Sequence, residues 1–267
     1  MRPDTHTDPV QATDPVTDPA KTGSEPALHP GELHIELDVP DAKAVAEALA
    51  TWGFRSLFEY EDPEFCIGLT DGFFTWTLIE RQTPPQLCLH YFTMSLEDWF
   101  DECSQAVRKY VHREADPDWG VSIEMSTGVH VHVQGNLPEI ETRHPGASLL
   151  PRSRFAEIAI GTEHLDQLVS NWTQLGFREL HRSGAGEPLH ALLADDMMLI
   201  GLYGEAPWEG PALAFFSRDV AGRIAAAKAF CGEGEQLSGG AVKVLLPGGF
   251  PVLWLPDNRE VPDEVQV

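Results

Sequence analysis

Two stretches of sequence decide the fold: ELHIELDV (Glu32–Val39) and RFAEIAI (Arg154–Ile160). The first alternates polar and apolar residues, which is typical of a strand with one covered face, and the second is similarly strand-forming. Each is followed by a segment of helical length and then by the same tripeptide, which ends at Arg55 in one copy and at Arg178 in the other. The tripeptide is Gly-Phe-Arg, and its glycine is the residue expected just past a helix.

The two stretches belong to an internal duplication. Gly53 and Gly176 lie 123 positions apart, and so do His34 and Glu157. Further along, LTDGFF (69–74) matches LADDMM (193–198) at an offset of 124, with a turn expected at the aspartate between two strands. Three matched features in the same order indicate duplication.

Each half continues in the same way. The pattern predicts a strand at 86–93, a helix from Leu96 to about His112 with Ser95 as its N-cap, and two more strands. The second half supplies a strand at 212–216, a helix from N-cap Ser217 through Phe230, and two strands. The order strand, helix and three strands therefore occurs twice in each half, which predicts an α+β fold.

Composition places the boundaries of these halves. Residues 1–29 form an acidic segment rich in Pro, Thr and Asp, which we expect to be a disordered tail because it has too little apolar surface to offset the entropy of ordering. A proline-punctuated linker is predicted at 137–152. The predicted domains are 30–136 and 153–257, with a C-terminal tail at 258–267.

The charge of the chain restricts its partners. Its 42 acidic and 18 basic residues give a formal net charge of −24, so the field repels nucleic acid and anionic membrane surfaces. No run of about 18 apolar residues occurs, and the N-terminus does not resemble a secretory signal, which predicts a cytoplasmic protein. A small molecule is the expected partner, and the oligomeric state stays open.

Other chemistries are disfavoured by motif spacing. The sequence has no Gly-x-Gly-x-x-Gly or phosphate-binding loop and no Gly-x-Ser-x-Gly elbow, which argues against nucleotide-dependent and serine-hydrolase functions. The four cysteines lack the spacing of a zinc site or disulfide framework, and we expect buried, reduced thiols. They are Cys66, Cys88, Cys103 and Cys231.

Tandem halves, each made of two βαβββ modules, resemble the vicinal oxygen chelate superfamily, which includes glyoxalase I, bleomycin-resistance proteins and extradiol dioxygenases. The resemblance covers about residues 31–257 and rests on the element order and on the helices that end in Gly-Phe. It implies two cupped, partly open, barrel-like sheets with flanking helices.

The resemblance also implies metal ligands. In that superfamily a divalent metal is held by side chains from the first, fourth, fifth and eighth strands of a domain. Matching positions here are His34 on the first strand, His132 on the eighth and His90 on the fifth. Counting to the N-cap favours Leu89 over His90, so a one-residue slip decides whether His90 faces the cup. The fourth-strand position falls near Thr77, a poor ligand, and the expected cofactor is Fe, Zn, Ni or Mn.

Two functions remain open from the sequence. One is a metal-dependent dioxygenase, lyase or isomerase that acts on a small oxygenated organic molecule. Glu36 and His130 share strand faces with the candidate ligands, so either could hydrogen-bond to a ligand or replace one. The other is a metal-free protein that sequesters an apolar or aromatic compound, as bleomycin-resistance proteins do. The missing fourth-strand ligand and the dense aromatic residues of the first half favour this alternative.

The second half lacks the same set of residues. Glu157 stands at the position of His34, while the fifth strand offers Ala212 or Leu213 and the eighth offers Leu253. We expect a cup without metal, closed by Leu213 and Leu253. An apolar cup penalises a lone carboxylate, so Glu157 should have a basic or hydrogen-bonding partner, reach solvent or have a raised pKa.

Overall fold

The computed structural model describes residues 32–61, 63–82, 84–93, 96, 99, 111–113, 120–125, 128–135, 153–184, 188–195 and 197–257. The predicted tails and linker lie outside these residues, as do Cys103 and most of the helix predicted from Leu96. The domain boundaries therefore stay predictions.

The first half forms an eight-stranded sheet in the order β2-β3-β4-β1-β5-β8-β7-β6. Strand β1 pairs in parallel with β4 and antiparallel with β5, and β5 pairs in parallel with β8. These elements are β1 (Glu32–Val39), α1 (Ala42–Thr51), β2 (Arg55–Tyr60), β3 (Cys66–Thr70), β4 (Thr75–Glu80), β5 (Gln86–Thr93), β6 (Val111–Arg113), β7 (Val121–Glu124) and β8 (Val129–Gly135).

The second half forms another eight-stranded sheet in the equivalent order, β10-β11-β12-β9-β13-β16-β15-β14, with equivalent strand directions at its centre. Its elements are β9 (Ser153–Gly161), α2 (Leu165–Gln174), β10 (Arg178–Arg182), β11 (His190–Ala194), β12 (Leu199–Tyr203), β13 (Gly210–Ser217), α3 (Val220–Cys231), β14 (Glu235–Gln236), a 3-10 turn (Ser238–Gly240), β15 (Val242–Leu245) and β16 (Pro251–Pro256). The predicted α+β class with two cupped sheets is confirmed.

The repeated sequence features have the repeated structural roles that the sequence predicts. Gly53 and Gly176 follow α1 and α2 with φ of 101° and 103°, a conformation that favours glycine. In the two aspartate turns, Asp71 accepts hydrogen bonds from the backbone of Phe73 and Phe74, and Asp195 does the same two and three residues on. The two halves are therefore built by the same local rules.

Helix ends differ from the prediction in two places. The N-cap of α3 is Asp219, whose carboxylate accepts from Gly222 N at 2.8 Å, whereas Ser217 still belongs to β13. Asp and Ser are similarly good caps, and β13 runs one residue past its predicted end and includes Ser217, so Asp219 takes the role. His112, expected near the end of a helix, lies in β6 and pairs with Ser122 of β7.

The apolar faces of both sheets and of the helices meet in one continuous core that crosses from half to half. The ring of Trp52 packs edge-on against Trp254 at 5.1 Å, and its Nε1 donates to the carbonyl oxygen of Arg223 at 3.1 Å. Tyr91 donates its hydroxyl to Asp195 at 2.6 Å, also across the halves. The opposite faces of the sheets are thereby left to form the two cups.

Two further findings concern the described residues only. No helix among them is long and apolar enough to cross a membrane. Cys66, Cys88 and Cys231 are unpaired and half-buried, which is more exposed than the sequence suggested.

Candidate functional site

We define the first-half cup as the face of the first sheet that turns away from the shared core. Strand pairing places His34 opposite Thr75 on one side and His90 on the other, and His90 opposite His132. His132 in turn faces Ser122. Because directly paired residues share a face, the three candidate histidines form one cross-strand row, which we call the histidine row.

The structure decides the register of β5, which the sequence left open. Leu89 pairs with Ile35 and Val131 and is fully buried in the core. His90 therefore faces the cup. On β4 the residue in the histidine row is Thr75, which pairs with His34. Thr77, two residues further on, pairs with Glu36 and so lies outside that row.

A second row lies beside the first and contains Glu36, Cys88 and His130. Its carboxylate reaches back to the histidine row, since Glu36 Oε2 lies 3.2 Å from His90 Nε2. This contact lets Glu36 hold the imidazole in one orientation and accept a proton from it. Burial lowers the pKa of His90, but the neighbouring Cys88 and Glu36 outweigh burial and raise that pKa to about 10.

The other two rings of the row are also fixed by neighbours. His34 is 6% exposed and packs edge-on against the Phe92 ring at 4.7 Å. His132 stacks parallel on His90, with ring centroids 4.9 Å apart, and its Nδ1 lies 3.3 Å from Ser122 Oγ.

The donor chemistry of the row fits a divalent transition metal, because three imidazoles and a nearby carboxylate are ligands that Fe, Zn, Ni and Mn accept. The ring orientations are a different matter. Within the part of the chain that the structure describes, no three His, Cys, Asp or Glu side chains converge on one point as ligands would. The cause is visible in the stacked His90 and His132 rings, whose nitrogens are turned to Glu36 and Ser122.

The second-half cup has lost this row. Glu157 on β9 pairs with Ala214, and Ala214 pairs with Leu253, so these residues replace His34, His90 and His132. The expectation that Leu213 closes the cup is wrong. Leu213 pairs with Ile158 and is fully buried in the shared core.

Glu157 behaves as the sequence argument requires. It is 7% exposed, and it accepts a hydrogen bond from the hydroxyl of Tyr203. Burial raises the pKa of Glu157, and the Tyr203 hydrogen bond only partly opposes this. Gly201 leaves room for the pair, since a Cβ there would lie 2.7 Å from Glu157 Cδ.

Sequence reasoning missed Ser122 and Tyr203. Tyr203 reaches Glu157 across 46 positions of the chain, through the pairing of β12 with β9, so it has no local signal. Ser122 lies only 10 positions from His132, and the register of the β7–β8 pair brings the two residues together. The position of Glu36 could be predicted from the sequence, because the alternation of β1 places it on the same face as His34.

No protein-family model matches the chain, and no curated protein sequence matches it significantly. Solved structures do match by fold. Catechol 2,3-dioxygenase superposes with a TM-score of 0.56 at 13% identity, over 88% of this chain and 90% of that one. The Mn(II)-bound glyoxalase from Novosphingobium aromaticivorans gives 0.53 at 16% identity, over 87% and 84%. A 2,3-dioxygenase from Pseudomonas sp. KL28 gives 0.55 at 12% identity, over 90% and 96%.

These matches cover both halves in one superposition and agree with the duplicated sheets and the cupped faces described above. The chain therefore shares the tandem two-half fold of these solved structures.

Proposed function

We propose that the chain is a metal-dependent enzyme that acts on a small oxygenated organic molecule, with the ion held in the first-half cup by His34, His90 and His132. The observation that supports this best is the histidine row itself. Three imidazoles on adjacent strands of one concave face are hard to explain by packing, because half-buried polar rings each need a partner there. The fold neighbours named above include dioxygenases and a manganese-bound glyoxalase.

The roles of this chain's own residues follow from their contacts. When bound, the ion would polarise a substrate oxygen as a Lewis acid. Glu36 would orient His90 and relay to solvent the proton that leaves its imidazole on ligation, since metal ligands must be deprotonated. Ser122 would keep the His132 ring in the row, and Phe92 would form an apolar wall against which an organic substrate packs.

Ligation requires the His90 and His132 rings to leave the stacked arrangement that they have in the structure. The proposal therefore predicts that Fe(II), Mn(II), Ni(II) or Zn(II) binds with proton release, measured as a dependence of the binding heat on buffer ionisation. His34→Ala and His132→Ala should each abolish stoichiometric binding. His181→Ala, which changes an exposed histidine of β10, is the matched control.

Metal content after purification without chelator gives the second measurement. Equal metal in the wild type and in all three variants would refute the metal site. A chelator should also lower the melting temperature of the wild type and leave that of His34→Ala unchanged, because an ion that binds only the folded state stabilises it.

A metal-free binding protein is the second candidate. The stacked His90 and His132 rings favour it, because stacking with satisfied nitrogens is also a stable lining for an apolar cup. Under this alternative neither chelator nor histidine substitution changes the melting temperature, while an apolar small molecule raises it.

A further inference from the structure

The second-half cup contains a cavity of about 260 Å³. Leu253 of its lining belongs to a cluster of small apolar residues on this cup face, where the other cup carries large polar residues. Ala214, for example, stands in the place of His90. The cluster consists of Ala156, Ala159, Ala212 and Ala214, together with Leu253.

The two walls of the cavity differ in character. One wall is a series of rings, in which His190 lies 4.7 Å from Tyr203 and Tyr203 lies 5.5 Å from Trp208 between centroids. The other wall is aliphatic and includes Leu253 and Leu255. A gap between tilted rings and leucines suits a flat apolar molecule, because aromatic pairs add to the gain from burying apolar area.

The charge around the cavity selects against anions. None of the described residues that line it is Lys or Arg, and Glu205 lies exposed at its rim. Burial and the neighbouring His181 lower the pKa of His190, which favours its neutral form. The net charge of −24 acts in the same direction.

Two polar atoms of the ring wall have capacity for a ligand. His190 Nε2 and Trp208 Nε1 are buried and have no hydrogen-bond partner among the described residues. Buried polar atoms are usually paired, so a shift of either ring that exposed its nitrogen to the cavity would let a ligand oxygen make a hydrogen bond that no described residue makes.

We propose that this cavity is a second small-molecule site, which binds a neutral planar aromatic compound bearing a hydroxyl or carbonyl oxygen between the ring wall of His190, Tyr203 and Trp208 and the leucines opposite. The site requires no metal, and it does not depend on the function proposed for the first-half cup.

Calorimetric titration with 2-naphthol at pH 7 tests the proposal, because phenols are neutral there and the two fused rings probe the flat gap. One molecule should bind per chain. The anion 2-naphthoate, which has the same rings, should bind at least about tenfold more weakly. Trp208→Ala should weaken 2-naphthol binding at least about tenfold, since it removes one ring of the wall.

Two control variants locate the site. His34→Ala changes the other cup and should leave the affinity for 2-naphthol unchanged, so the outcome is separate from that of the metal experiment. Phe73→Ala removes a 61% exposed ring at a different apolar hollow, beside Met197, and should also have no effect. Loss of binding in either control, or no 2-naphthol binding at all, would overturn the proposal.

A second variant separates loss of the binding site from misfolding of Trp208→Ala. Trp208→Phe keeps a ring at this position but has no indole N–H there. The indole N–H signal that is present in the NMR spectrum of the wild type and missing from that of Trp208→Phe is therefore the Trp208 signal. That signal should move on titration with 2-naphthol. A Trp208 signal that stays in place while 2-naphthol binds would place the ligand elsewhere and refute the site.

Discussion

Replacing Glu157 by glutamine should stabilise the protein at neutral and mildly alkaline pH. The carboxylate is 7% exposed, and the Tyr203 hydroxyl is the donor that the structure gives it. Burying a charge with so little compensation costs free energy, whereas the glutamine oxygen can accept the same hydrogen bond. The two amide N–H bonds of the glutamine also lose their hydration on burial. The expected gain in the free energy of unfolding is therefore only about 1 kcal/mol. For a chain near this size, 1 kcal/mol corresponds to roughly 2 to 4 °C in melting temperature.

The pH dependence of this gain has a definite sign. Burial raises the pKa of Glu157 above the ordinary value of 4.5, so the folded state holds the proton more tightly than the unfolded state does. The stability that this provides is fully present below the unfolded pKa and is lost as pH rises through the folded pKa. The advantage of Glu157→Gln should therefore grow as pH rises above the unfolded pKa and reach its full size above the folded pKa.

Urea unfolding followed by tryptophan fluorescence, between pH 5 and pH 8.5, measures this difference, and subtracting the two proteins cancels the other titrating groups. Tyr203→Phe provides a matched test. It removes the hydrogen bond that opposes burial, so the transition should move to higher pH. A free-energy difference between wild type and Glu157→Gln that is the same at every pH would refute the assignment of a buried, poorly compensated carboxylate.

Two other substitutions test contacts described above. Tyr91→Phe removes the hydroxyl that donates a hydrogen bond to Asp195 across the halves. It should lower the free energy of unfolding by about 1.5 to 3 kcal/mol, the range for hydrogen bonds to charged groups. An unchanged urea midpoint would contradict this. Gly201→Ala should cost about 1 to 3 kcal/mol, because its Cβ would crowd Glu157, and in a double-mutant cycle the cost should fall by at least half in a Glu157→Ala background. Additive effects in that cycle would show that the crowding is with another group.

The element order could be predicted from sequence because its signals are local. Gly53 and Gly176 end their helices for the same backbone reason wherever they occur, and the aspartate turns before β4 and β12 depend on bonds within four residues. His34 and Glu157 could be matched for the same reason, since both are counted from a nearby helix.

The site could be predicted only in part, because registers are set by long-range pairing. His90 lies in a strand whose pairing with β1 alone decides which rows it joins. Leu213 was assigned to the cup because ALAFF is apolar on both faces, so alternation gives no direction there. An irregular register between Ala214 and Phe215 then shifts the count against β9. Contacts such as Tyr203 with Glu157 depend on the sheet as a whole.

The shared core has a consequence for how the two halves could diverge. Residues such as Trp52 and Tyr91 touch the other half, so a change on a core-facing position in one copy is felt by its duplicate. By contrast, the contacts described above for His90, His132 and Glu157 lie within their own sheets. After duplication, one cup could therefore replace residues such as His90 by alanine without altering the core that joins the two halves. The shared core is thus constrained by both halves, whereas each cup face can change independently. The two cups could therefore acquire unrelated chemistry within a single chain.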